Sequence, residues 1–258
     1  MPIINRVREK LARGEAALNG WLWFPDSFAA EITAAQGYDS VTVDMQHGLI
    51  DRGDTVSLFQ AIATQGVTAM ARVQSNDAGD IMKLLDAGAL GIICPMVSTR
   101  AQSEALVSAC RYPPRGSRSF GPSACITRYG QNYVAEADAS VIAFAMIETR
   151  EALANLDEIL SVDGLDGVYV GPNDLALSLG YGASQDSKEP EIVAAIAMIA
   201  EKAIRHGIIP GIACPSGEVA RRRIEQGFRF VTPGNQASLL AAAARAAVLE
   251  AKAPRGPT

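Results

Sequence analysis

Apolar runs of four to seven residues recur along the chain, separated by longer stretches whose apolar positions follow a helical period. The short runs predict strands over Asn19–Phe24, Ser40–Asp44, Thr68–Val73, Gly91–Pro95, Val141–Ile147, Gly167–Val170, Ile208–Ala213 and Phe228–Thr232. The longer stretches predict helices over Ser27–Gln36, Thr55–Thr64, Ala78–Asp86, Ala101–Cys110, Arg150–Leu160, Pro190–His206, Ser216–Gln226 and Gln236–Lys252. Near-continuous apolar strands are expected of a parallel sheet covered by helices. Strict alternation of eight strands with helices predicts an α/β chain closed into a (β/α)8 TIM barrel, with residues 1–258 as one domain. Gly37, Gly88, Gly207 and Gly227 each follow a predicted helix and precede a strand, as helix-ending glycines do. The competing architecture is a doubly wound open sheet. No GxGxxG follows the first strand and no GxxxxGK[ST] occurs anywhere, which weighs against a nucleotide-binding version of it. Residues 112–130 form the longest irregular stretch, with Pro113-Pro114 and Gly121-Pro122. A loop of that size is often functional.

Composition narrows the classes. Hydrophobic residues make up 48% and charged residues 20% of the 258, an ordinary globular balance. A formal net charge of -5 provides no basic footprint, so nucleic acid is excluded as an expected partner. No apolar run reaches the roughly 18–20 residues of a membrane span. The opening Met1-Pro-Ile-Ile-Asn-Arg has no signal-peptide core, so a cytoplasmic location is expected. Cys94, Cys110, Cys125 and Cys214 form no CxxC pair and read as packed thiols rather than zinc ligands.

In such a barrel, chemistry sits at the C-terminal ends of strands. The second strand ends in Asp44-Met-Gln46-His47-Gly48 and the third in Arg72. The fifth runs into Glu148-Thr149 and the sixth into Gly171-Pro172-Asn173-Asp174. Glu148 and Asp174, on adjacent strands, suit a hard cation such as Mg2+ or Mn2+ with water completing the shell. Their plainer role is as helix caps or first-turn acids. Asp44, three residues before His47, could orient the imidazole as a general base; the plainer role of His47 is a hydrogen-bonding core side chain. Arg72 calls for either an acidic partner on a neighbouring strand or an anionic ligand. A helix is expected from Leu175, and free N–H groups before it could hold a carboxylate. His206 closes a helix and reads as structural. None of Lys10, Lys83, Lys188, Lys202 or Lys252 ends an apolar strand, which argues against imine catalysis, and no GxSxG occurs.

These residues, together with Asn76-Asp77, Arg111-Tyr-Pro-Pro-Arg-Gly-Ser-Arg118 and Ile147-Glu148-Thr149, resemble the HpcH/HpaI-type aldolases over nearly the whole chain, from Gly20-Trp21 to Gly234-Asn235. The resemblance implies a barrel of the phosphoenolpyruvate/pyruvate-binding type and a divalent metal (Mg2+, Mn2+ or Co2+) held by Glu148 and Asp174. It implies an aldolase that makes or cleaves 4-hydroxy-2-oxo acids through the enolate of pyruvate or hydroxypyruvate, with an aldehyde as acceptor. Arg72 would stabilise the enolate oxygen, and His47 with Asp44 would move protons through a water molecule. Backbone N–H groups at Asn173 and Asp174, in the Gly171-Pro172 turn, would hold the substrate carboxylate, and Trp21 would line the site. A hexamer built from trimers is implied too. Two positions depart from the family pattern: Gln46 stands where glutamate is common, and Met146 where glutamine is. Gln46 near the substrate therefore predicts a shifted donor or acceptor preference. Ser123, with Arg118, Ser119, Pro122, Ala124 and Tyr129, is a candidate wall on the acceptor side. The competing readings are a metal-dependent lyase of malyl- or citryl-type thioesters and a barrel that binds a 2-oxo acid without catalysis.

Overall fold

The computed structural model describes residues 3–253. Met1, Pro2 and residues 254–258 of the expected span 1–258 lie outside the described residues. Eight strands close into one parallel barrel in chain order: β1 (Ala17–Leu22), β2 (Ser40–Asp44), β3 (Thr68–Arg72), β4 (Gly91–Cys94), β5 (Ile142–Ile147), β6 (Gly167–Val170), β7 (Ile209–Cys214) and β8 (Phe230–Pro233). β8 pairs back onto β1, so the open doubly wound sheet is ruled out. Every predicted strand is present, with its ends displaced by no more than two residues.

Around the barrel run α1 (Arg6–Ala12), α2 (Ser27–Ala34), α3 (Arg52–Thr64), α4 (Ala78–Ala87), α5 (Arg100–Cys110), α6 (Ser123–Tyr129) and α7 (Tyr133–Ser140). They continue with α8 (Arg150–Ala154), α9 (Leu156–Leu160), α10 (Pro172–Ser178), α11 (Pro190–Arg205), α12 (Gly217–Glu225) and α13 (Gln236–Lys252). The helix expected over Arg150–Leu160 is two, broken at Asn155. The one expected from Leu175 begins at Pro172, where a proline is pre-organised for the first helical position. Gly37, Gly88, Gly207 and Gly227 all have positive φ, as helix-ending residues in the left-handed region should.

All residues of β2 to β6 are buried, because the parallel strands have helices on one side and a filled interior on the other. Alternate side chains point inward. Trp21, Met70, Ile93, Phe144, Met146, Tyr169 and Phe230 fill the interior, and the outward residues form the larger core beneath the helices. The interior also carries polar side chains. Tyr169 Oη donates to Thr232 Oγ1 at 2.8 Å, Asn19 Nδ2 donates to the same oxygen at 3.0 Å, and Ser40 and Thr42 donate to Asn19 Oδ1. Buried hydroxyls paired in this way avoid the cost of unsatisfied groups. They also give a firm floor to the C-terminal end of the barrel.

Candidate active site

The inward alternation of β2 and β3 makes Asp44 and Arg72 register partners at the last residues of their strands. Arg72 Nε donates to Asp44 Oδ1 at 2.8 Å and Nη2 to Oδ2 at 2.5 Å, a two-pronged ion pair in a buried setting. Trp21 Nε1 donates to Asp44 Oδ2 at 3.0 Å, and the guanidinium lies 4.9 Å from the Trp21 ring centre. Trp21 in turn stacks on Tyr169, ring centres 5.6 Å apart. Burial alone would raise the Asp44 carboxyl; the hydrogen bonds and charge of Arg72, then Trp21 and the His47 backbone, hold it below the usual range. Of the two explanations for Arg72, an acidic partner is therefore present, and Nη1 remains as the edge that the Asp44 pair does not use.

Asp44 meets His47 differently from the expectation. Its Oδ1 accepts from the backbone N–H of Gln46 at 3.0 Å and of His47 at 3.2 Å. Asp44 thus shapes the turn that carries His47, while its carboxylate faces Arg72 instead of the imidazole. The reason is geometric: a guanidinium at the register-paired position outcompetes a side chain beyond the strand end. Gly48 closes this turn, because a Cβ there would sit 2.3 Å from the Asp44 carbonyl oxygen. His47 is exposed and faces the cavity.

Glu148 lies just beyond β5 and is 2% exposed. Thr149, not Glu148, caps the helix that follows, accepting from Ala152 N–H at 2.9 Å, so the plainer role for Glu148 is taken by its neighbour. Glu148 Oε1 accepts the backbone N–H of Met96 at 2.8 Å. Met96 has a φ of 57°, uncommon for a side chain of its size, and this conformation brings its N–H to the carboxylate. A Cβ on Gly171 would lie 2.3 Å from Glu148 Oε2, so the absence of a side chain there leaves room for the second oxygen. Burial pushes the Glu148 carboxyl up to about 7; the Met96 N–H opposes this, Asp174 adds to it and Arg72 opposes it. Asp174 stands exposed in the first turn of α10, where its charge also favours the helix.

A cavity of about 130 Å³ opens over these groups. Trp21, His47, Arg72, Met146, Gly171, Pro172, Asn173 and Asp174 line it, so the structure gathers these expected site residues. Glu148 lies directly behind Gly171. Gln46 and Ser123 are not brought to it. Both line a separate groove with α3 and α4, and Gln46 Oε1 is buried there without a partner. The reach of residues 118–124 is set by Arg118, whose buried guanidinium pairs with Asp86 at 2.9 Å and packs between Tyr112 and Tyr133. That anchor draws the segment onto α4, away from Arg72, and Tyr129 stacks on Tyr133. The acceptor-side wall expected from this loop is thus absent from the cavity. Trp23, Gln185 and Asn235 line it instead. Trp23 shares the inward parity of Trp21, a usable sequence signal; Gln185 lies in a polar loop that offered none. No lysine lines the cavity.

The donor set is two carboxylates that follow adjacent strands, Glu148 after β5 and Asp174 in the first turn of α10 after β6. Among the described residues no group of three or more His, Cys, Asp or Glu side chains is poised for a metal. A buried glutamate with one oxygen facing a glycine and no hydrogen-bond donor on it, raised toward neutrality by burial, is nevertheless the surrounding a hard cation relieves. A parallel (β/α)8 barrel with two carboxylates, an anchored arginine and an imidazole at its C-terminal rim is the outline of a barrel enzyme with its site at the usual end. The chain belongs to the HpcH/HpaI aldolase/citrate lyase family, whose model matches residues 21–243. It is 51% identical over 250 residues to a hydroxypyruvate/pyruvate aldolase of Rhizorhabdus wittichii, covering 97% of this chain and all of that one. It is 36% identical to a hydroxypyruvate/pyruvate aldolase of Sagittula stellata, over 94% of this chain and 96% of that one. A solved HpcH/HpaI aldolase/citrate lyase family protein from Burkholderia cenocepacia superposes with a TM-score of 0.90 at 28% identity, covering 97% and 100% of the two chains. The chain is an aldolase, a carbon–carbon lyase.

Proposed function

We propose that this aldolase forms and cleaves 4-hydroxy-2-oxo acids, with pyruvate or hydroxypyruvate as the enolate donor and an aldehyde as acceptor, and that it depends on a divalent metal. The observation that carries the reading is the convergence of Arg72, His47, Asp174 and the Gly171–Asn173 turn on one small cavity, with Glu148 behind it. Glu148 and Asp174 are the residues proposed to hold Mg2+, Mn2+ or Co2+. Bound there, the ion supplies Lewis-acid polarisation of the 2-oxo group and neutralises developing charge.

The chain's own residues do the rest. In the cleavage direction His47, at the rim, takes the proton from the 4-hydroxyl of the substrate. The C3–C4 bond breaks, the aldehyde leaves, and the electron pair moves toward C2 and its oxygen. Arg72 presents a guanidinium already fixed by Asp44 and Trp21, so little reorganisation is needed as the enolate oxygen gains charge. Removing one such donor elsewhere costs about 2.7–4 kcal/mol of transition-state stabilisation. A proton then returns to C3 and completes the 2-oxo acid. Backbone N–H groups at Asn173 and Asp174, in the first turn of α10, are proposed to hold the substrate carboxylate. Met146 gives the floor an apolar patch beside Gly171.

Residues 1–258 are taken as one domain, supported by a single sheet spanning Ala17 to Pro233. The chain is proposed to assemble as a homo-oligomer, a hexamer built from trimers, in the cytoplasm. Four free, buried thiols suit a reducing compartment, and no helix among the described residues is long and apolar enough to cross a membrane. Chelated protein incubated with a 4-hydroxy-2-oxo acid tests the function: pyruvate release should appear only when Mg2+, Mn2+ or Co2+ is restored. Turnover in the presence of chelator, or none with any of the three ions, contradicts the reading.

A further inference from the structure

Part of the cavity wall is built from residues to which the reaction described above gives no role. Trp23 follows β1, and its position is fixed because its backbone N–H and that of Phe24 both donate to Gln236 Oε1 at 3.0 Å. Its indole Nε1 is buried and has no hydrogen-bond partner, although Trp23 lines the cavity. A buried donor left unpaired in a cavity wall is a group waiting for an acceptor. Gln185 lines the same cavity from the loop between α10 and α11. That loop is tied down one residue later, where Asp186 pairs with Lys188, Arg222 and Arg223. Asn235 completes this side; its Oδ1 is occupied by Ser238 N–H at 2.9 Å, which leaves the amide nitrogen. All three groups are polar and uncharged. The guanidinium in the cavity, Arg72, is already paired with Asp44.

We propose that Trp23 and Gln185, with Asn235, form the acceptor subsite and select aldehydes that carry a hydroxyl group beside the carbonyl over aldehydes that carry a carboxylate. The indole N–H donates to the hydroxyl oxygen, and the Gln185 amide offers both a donor and an acceptor to the same group. A carboxylate would meet no dedicated counter-charge there and would lose water without repayment. This proposal rests on the aldolase reading.

The test compares kcat/KM for glycolaldehyde, acetaldehyde and succinate semialdehyde, with pyruvate as donor and metal present. The parent should favour glycolaldehyde over acetaldehyde. Trp23→Phe, which keeps an aromatic ring without the N–H, and Gln185→Ala should each lower that ratio by about three- to tenfold, the scale of one neutral hydrogen bond. Gln185→Arg should raise relative turnover of succinate semialdehyde. Because each readout is a ratio, a general loss of activity cancels, and Gln185→Ala on its surface loop stands in if Trp23→Phe fails to fold. Unchanged ratios in the folded variants overturn the acceptor assignment. Pyruvate methyl exchange in the parent, which needs no aldehyde, separates that outcome from failure of the aldolase reading, which overturns both.

Discussion

Asp44 serves three partners at once, and each limits what the others can do. Its carboxylate is fully buried, accepts two bonds from Arg72 and one from Trp21, and fixes the backbone of the His47 turn. Replacing it leaves a buried guanidinium without a counter-charge. Asp44→Asn should therefore lose about 3–5 kcal/mol of stability in denaturant unfolding, the usual range when one member of a buried pair is removed. Activity should fall further, because Arg72 would no longer be held in place. Glu148 shows the opposite balance: its folded carboxyl keeps a proton up to about 7, against an ordinary 4.5. Between those values the folded protein binds more protons than the unfolded chain, so this group favours folding fully below the lower value and loses that contribution as pH rises through the upper one. Metal-free protein should lose roughly 3 kcal/mol at most through Glu148 between pH 5 and pH 8. Added Mn2+ should restore thermal stability at pH 8 and do little at pH 5. A metal effect equal at both values contradicts this assignment of the ion to Glu148.

At the scale of elements, the barrel was legible because its signals were redundant. Eight apolar runs, helical periods between them and glycines at helix ends all pointed to the same alternation, and glycine at Gly88 or Gly207 is tied to a positive φ that other residues adopt poorly. Strand ends also located Asp44, Arg72, Glu148 and the Gly171 turn, since a polar residue after an apolar strand is costly without a purpose. The gaps have physical causes. α6 and α7 are short and sit on a side cluster around Tyr112, Cys125 and Tyr133, so their periodicity is too brief to stand out. The fate of Ser123 depended on where Arg118 finds its partners, a contact between segments far apart in sequence. The same holds for Asp44: its spacing to His47 suggested one partner, and the cross-strand register with Arg72 supplied another.

At the scale of the whole molecule, α13 stands apart. It has no buried residue among its 17, and Leu240 and Leu249 are 61% and 63% exposed. A barrel helix normally hides one apolar face against its sheet. This one leaves apolar area uncovered, which supports the proposed assembly of copies. Leu240→Glu combined with Leu249→Lys should lower the mass measured by light scattering after gel filtration; an unchanged oligomer, or a monomer in the parent, contradicts a role for α13 in assembly. The site itself lies at the barrel mouth, so the metal chemistry can be examined apart from both oligomer and acceptor. Deuterium exchange at the pyruvate methyl group, followed by NMR in the absence of aldehyde, examines it most directly. Exchange should require Mg2+, Mn2+ or Co2+, vanish in Glu148→Gln and fall sharply in Arg72→Ala. Exchange that survives chelation, or persists at the parent rate in Glu148→Gln, would contradict the enolate mechanism placed on these residues.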